Sequence, residues 1–127
     1  MSKRNDQDHY ALNQNIKFGF LEKIDVPKLI TDCKDKWYNQ TLTQVNDCVV
    51  RLGVFLEGEF PFHKHVEEDE FFFVLQGSLT IEMEHDSVYL EVHQGYTVPK
   101  GTIHRPKISE PTVVLMMEGK GVVPTGD

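Results

Sequence analysis

The chain has little cysteine, a shortage of positive charge and no long apolar run, and each shortage removes a class of function. Only Cys33 and Cys48 occur in 127 residues. They lack C-x-x-C spacing, which argues against a disulfide framework and for two reduced, packed thiols. Lys and Arg number 13 against 20 Asp and Glu, giving a formal charge of -7 with the basic residues scattered. A nucleic-acid partner is not expected, because phosphate binding needs clustered cations. No run of about 18 apolar residues is present to span a bilayer, and MSKRNDQDHY is polar where a secretory leader needs an apolar stretch. The expectation is a cytoplasmic protein with no membrane partner. Ser-His-Asp and Cys-His nucleophile patterns and phosphate-cradling glycine loops are missing too, which weakens hydrolase and nucleotide-dependent readings.

What is present fits one domain. Residues 1–14 are polar and without period, and are expected to form a flexible arm ahead of a single domain over 15–127. In IDVPKLITDCKDKW, Asp25 is an N-cap candidate, Pro27 suits a first turn, and Ile30, Cys33 and Trp37 recur at helical spacing. The pattern predicts one short helix. From about Thr41 onward the chain consists of short β-prone runs broken by turn residues, which predicts a sandwich or barrel. In SLTIEMEHD, Leu79, Ile81 and Met83 alternate with polar Ser78, Thr80, Glu82 and Glu84, and a hairpin turn is expected around His85 and Asp86. In EFFFVL both faces are largely apolar: Glu70, Phe72 and Val74 on one, Phe71, Phe73 and Leu75 on the other. Such a strand needs a second layer, either the Leu29–Trp37 helix or another subunit, so a homodimer is plausible.

The chemistry concentrates in HKHVEEDEFFFVLQG and GYTVPKGTIHRP. His63 and His65 are two apart on a predicted strand, so their imidazoles share a face; Glu70 lies on the inward face of the next strand, and His104 follows a Pro99/Gly101 turn. Buried, a carboxylate like Glu70 needs a compensating cation. Three neutral imidazoles and one carboxylate suit one divalent first-row metal, which supplies that charge.

These residues resemble the cupins. His63, His65, Glu70 and Gly77 match the first cupin motif from its first histidine onward, and Pro99, Gly101 and His104 match the second in order and spacing. The departures are Glu57 and His93 at the two opening glycines, with Gly58 and Gly95 displaced by one and two places, and Ile108 where the second motif ends in Asn. NDCVVRLGVFLEGEFPFHKHVEEDE and VPKGTIHRP look like a group of small single-domain cupins described as similar to mannose-6-phosphate isomerase, a likeness of fold and not of activity. The resemblance implies an all-β jelly-roll barrel, a double-stranded β-helix, carrying the metal inside on His63, His65, Glu70 and His104.

Neighbouring residues have blander readings. Glu67, Glu68 and Asp69 read as a solvated acidic loop, His9 and His85 as exposed, and His93 as a structural turn residue. Tyr96 and Arg105 are near His104 and are read first as surface or packing groups. Arg51 has no assignable face. Four protein ligands in octahedral geometry leave two adjacent positions, enough for a bidentate hydroxy acid, sugar diol or dicarbonyl, or for water and dioxygen. The expected function is a small metalloenzyme, a metal-dependent dioxygenase or isomerase, using Fe, Mn, Zn, Ni or Cu. The alternatives are a barrel that binds or senses a small ligand without turnover, and a structural or storage metal. Sugar-phosphate isomerisation would require Arg51 or Arg105 to reach the pocket.

Overall fold

The computed structural model describes residues 10–126. Nine strands and one helix occur among them: β1 Tyr10–Asn13, α1 Val26–Asp32, β2 Trp37–Val45, β3 Cys48–Phe55, β4 Glu70–Gln76, β5 Leu79–Met83, β6 Ser87–Leu90, β7 Gly95–Val98, β8 His104–Lys107 and β9 Thr112–Gly119. They form a six-stranded sheet in the order β1-β2-β3-β9-β4-β7 and a three-stranded sheet in the order β6-β5-β8. The two sheets face each other as a jelly roll. Between them lie Phe72, Val74, Val98, Val114 and Met116 from the larger sheet and Leu79, Ile81 and Leu90 from the smaller. Period-two alternation produces this core directly, since Glu70, Phe72 and Val74 point inward while Phe71, Phe73 and Leu75 are half-buried on the outside.

The segment Glu59–His65 is not a regular strand. It lies along β8 through single bridges, Glu59 to Lys107 and His63 to His104. Paired backbone hydrogen bonds join the two histidines, His63 N–H donating to His104 O at 2.9 Å and His104 N–H to His63 O at 2.8 Å. The Pro99–Gly101 turn is tied to the same segment by Gly101 N–H to His65 O at 2.7 Å.

Four sequence expectations need correction. Part of the expected arm is structured: Tyr10–Asn13 pairs in parallel with Trp37–Gln40, and the Tyr10 ring packs edge-on against Trp37 and Phe60. Its one aromatic gives this polar stretch something to bury. Residues 1–9, including His9, lie outside the described residues. The helix begins as expected, with Asp25 Oδ1 accepting from Lys28 N–H at 3.2 Å, but it ends at Asp32. Trp37 opens β2 instead, its ring stacked on Phe55 at 3.9 Å, because Lys34, Asp35 and Lys36 offer no apolar stripe to continue the helix. Finally, Cys33 and Cys48 are both free, yet Cys48 is exposed at the start of β3 and Cys33 only half-buried. Ser78, expected on a wet face, is buried between Glu110 and Thr112.

The helix covers one end of the outer sheet face, where Leu29 packs with Leu42, Leu52, Val54 and Val113 and with half-buried Leu75. Phe71 and Phe73 belong to neither buried cluster. After β9 the chain turns back, burying Val122 and bringing Pro124 to the barrel interior and Gly126 against His63 and Lys64. No helix among the described residues is long and apolar enough to cross a membrane.

Candidate metal centre

His63, His65, Glu70 and His104 converge at one end of the barrel, each contributing one donor atom, and these atoms all lie within 4.8 Å of one another. The convergence follows from the two bridged elements: His63 and His104 are direct partners, His65 is two residues on, and Glu70 begins β4 facing inward. His65 and His104 are about 2% and 1% exposed and Glu70 about 6%, so the site is largely shut away from solvent.

Hydrogen bonding orients the rings. His104 Nδ1 lies 2.8 Å from Thr102 O and His63 Nδ1 2.9 Å from Pro61 O. A carbonyl only accepts, so each Nδ1 carries the proton and each Nε2 presents a lone pair. Yet His104 Nε2 sits 3.1 Å and His65 Nε2 3.3 Å from the same atom, Glu70 Oε1. The His104 lone pair facing a carboxylate oxygen is repulsive unless a cation lies between them. One proton serves one such pair, whereas a metal ion serves all four donors at once. The donor set therefore fits a divalent metal.

Protonation states agree with this. Burial lowers the His63 imidazole from 6.5 to about 4, against the opposing pull of the Pro61 carbonyl, so it is neutral at pH 7. Burial by itself would raise the Glu70 carboxyl; the rings of His104 and His65, with Nε2 atoms 3.1 and 3.3 Å from Oε1, outweigh it and bring Glu70 from 4.5 to about 2. A neutral His63 imidazole and an ionised Glu70 carboxylate are the forms a metal binds.

Glu67, Glu68 and Asp69 are exposed, as expected, and Asp69 Oδ1 accepts from Lys100 N–H at 2.9 Å, fixing the Pro99–Gly101 turn. His85 is exposed. His93, in the place of the second motif's glycine, has φ 69°, the left-handed conformation for which glycine is favoured. Arg105 is committed at the surface, with Nε donating to Glu82 Oε1 at 2.7 Å and its guanidinium 4.3 Å above the Phe62 ring. Half-buried Tyr96 directs its hydroxyl towards Met83 Sδ at 4.0 Å. Arg51 faces the interior, where Nη1 meets Glu118 Oε1 at 2.6 Å and Nη2 donates to Val122 O at 2.9 Å.

Beside the donors is a cavity of about 20 Å³, lined by His63, Glu70 and Asn39 and walled by apolar side chains including Trp37, Phe72 and Met116. No Lys or Arg lines it among the described residues. Sequence reasoning passed over Asn39, although its i, i+2 relation to Trp37 in WYNQT would have placed it inside once β2 was known to start at Trp37.

A family model for the cupin domain matches residues 55–118, which hold all four donor residues. The chain is a cupin. An uncharacterized protein, YdbB, from Bacillus subtilis is 38% identical over 93 residues, covering 72% of this cupin and 81% of the relative. A cupin-2 domain containing protein from Shewanella frigidimarina superposes with a TM-score of 0.70 at 28% identity, over 76% of this chain and 93% of that one. KdgF from a Halomonas species gives a TM-score of 0.62 at 21% identity, over 70% and 84% respectively. That last likeness is one of fold alone.

Proposed function

We propose that this cupin binds one divalent transition metal through His63, His65, Glu70 and His104, and that the loaded barrel is a small metalloenzyme acting on a small polar substrate by oxygenation or isomerisation. One observation carries the metal assignment: two imidazole Nε2 atoms face the same carboxylate oxygen while the Nδ1 of His104 is committed to a backbone carbonyl. When bound, the metal supplies Lewis acidity, or an open coordination position for dioxygen. The protein's own part is to hold the imidazoles in the ligating tautomer through the Pro61 and Thr102 carbonyls, to balance charge with Glu70, and to keep bulk water out with an aromatic wall. The lack of Lys and Arg in the cavity disfavours a sugar-phosphate substrate. A second reading, small-ligand binding or sensing without turnover, draws support from the cavity's size, which admits little more than one water.

Glu70→Gln keeps the shape and removes the charge. Saturating metal at a hundredfold excess over Kd stabilises a folded protein by roughly 3 kcal/mol. Metal addition should therefore raise the wild-type Tm by roughly 10 °C and leave the variant almost unmoved. Equal shifts in the two proteins would remove Glu70 from the site.

A homodimer belongs to the same reading. The outer face of β4 and β9 presents the stacked pair Phe71 and Phe73 beside Met117, the cross-strand partner of Phe71. With a net charge of -7, two copies repel except across an apolar patch such as this one.

A further inference from the structure

The cavity beside the donors, about 20 Å³, holds one water, whereas small-molecule clefts run to roughly 300 Å³ and above. A ligand on the metal therefore has no room in this conformation, and a wall has to move. Every lining residue but one belongs to a strand of the two sheets or to the Glu59–His65 segment bridged to β8. Those walls are tied by backbone hydrogen bonds and move only with the sheets. The exception is Pro124. It is buried against the cavity, yet from Val123 to Gly126 the chain makes no hydrogen bond to any described residue outside itself, Gly126 N–H donating to Val123 O at 2.9 Å. The last ties to the barrel are upstream: Lys120 N–H to Asp47 O at 3.0 Å, and Arg51 Nη2 to the Val122 carbonyl at 2.9 Å.

The same four residues lie where the way in is shortest. His63 is the least buried of the donors, and Gly126, at φ 112°, brings the backbone against its side chain. Upstream, Gly121 stands in open space, so the chain can bend there without a clash. We infer that Val123–Gly126 is a lid over the metal centre, seated by Pro124 in the cavity and anchored at the Val122 carbonyl, and that a small chelating ligand reaches the metal only while the lid is open. This inference rests on the metal assignment above. Lifting Pro124 joins the cavity to solvent beside His63, breaks no strand ladder and leaves Arg51 on Glu118. The lid carries no charge, so closure excludes water by packing alone.

The test uses the protein reconstituted with Co(II), whose visible absorption reports ligation, and two chelating probes of different size, acetohydroxamate and benzohydroxamate. A gated site takes up ligand at a rate that levels off with concentration, at the opening rate, and at the same level for both probes. Wild type is expected to show that shared plateau, with little dependence on low urea because a lid exposes few residues. Pro124→Gly should raise the plateau about tenfold or more with metal content unchanged, and Val123→Ser, on the exposed side of the lid, should leave it within about twofold. A wild-type rate that stays linear in ligand overturns the lid, as does a plateau that climbs with urea as steeply as global unfolding. An unmoved plateau in Pro124→Gly, whatever its urea midpoint, makes Pro124 a packing residue and overturns it likewise. Loaded wild type that takes neither probe overturns the lid and leaves the metal site standing. Wild type without metal overturns the metal assignment and this inference with it.

Discussion

Glu118 and Glu70 are direct cross-strand partners of β9 and β4, so two inward carboxylates stand side by side in a low-dielectric interior. Like charges in that position repel, and each needs its own compensation. Arg51 supplies it for Glu118 at 2.6 Å, held also by Thr41 Oγ1 at 3.1 Å and by the Val122 carbonyl, and a metal would supply it for Glu70. Arg51→Met strips Glu118 of its guanidinium and should cost about 3–5 kcal/mol in urea unfolding, while Arg51→Met with Glu118→Met should recover most of it. A loss under about 1 kcal/mol for the single variant would show the pair to be incidental. The four donor residues were legible in the sequence because their spacing is local to two motifs. Arg51 was not, because side-chain parity does not carry through a turn and the register of β2 shifts between Thr41 and Thr43; Asn39 was not, because the expected helix ran to Trp37 and hid the start of β2.

Elements were legible where a short-range signal starts them and less so where packing ends them. Asp25 and Pro27 announce α1, but its C-terminus is decided by Trp37, which gains more against Phe55 than a longer helix would. The chain after β9 gave no periodic signal and still closes the barrel: Val122 N–H donates to Gly119 O at 3.0 Å, its carbonyl accepts from Arg51, and Pro124 walls the cavity beside Asn39. This segment lies against His63 and walls the cavity beside the donors. Truncation after Lys120 should therefore speed removal of bound metal by a chelator about tenfold or more while β1 to β9 remain folded by circular dichroism. An unchanged removal rate would mean that solvent reaches the site by another route.

For the whole molecule, the charge and the apolar patch act together. In the proposed dimer, a net charge of -7 disfavours contact between copies except across the outer-face patch of Phe71, Phe73 and Met117. Phe71→Glu places a charge in the centre of that patch without touching the interior face, so sedimentation should show a dimer for wild type and a monomer for the variant, with metal content unchanged. A monomeric wild type would contradict the dimer. The jelly-roll architecture was readable from the run of short strands and from the resemblance, whereas the outer face could be assigned to solvent, helix or partner only after the helix was seen to reach no further than Leu75 and Leu115. The central claim, that four side chains hold one metal, is tested most directly by elemental analysis of purified wild type beside a His63→Ala and His104→Ala double variant, each after anaerobic reconstitution with Fe, Mn, Ni or Zn. The account predicts close to one metal per chain in wild type and almost none in the variant; equal metal in both, or none in either, would contradict it.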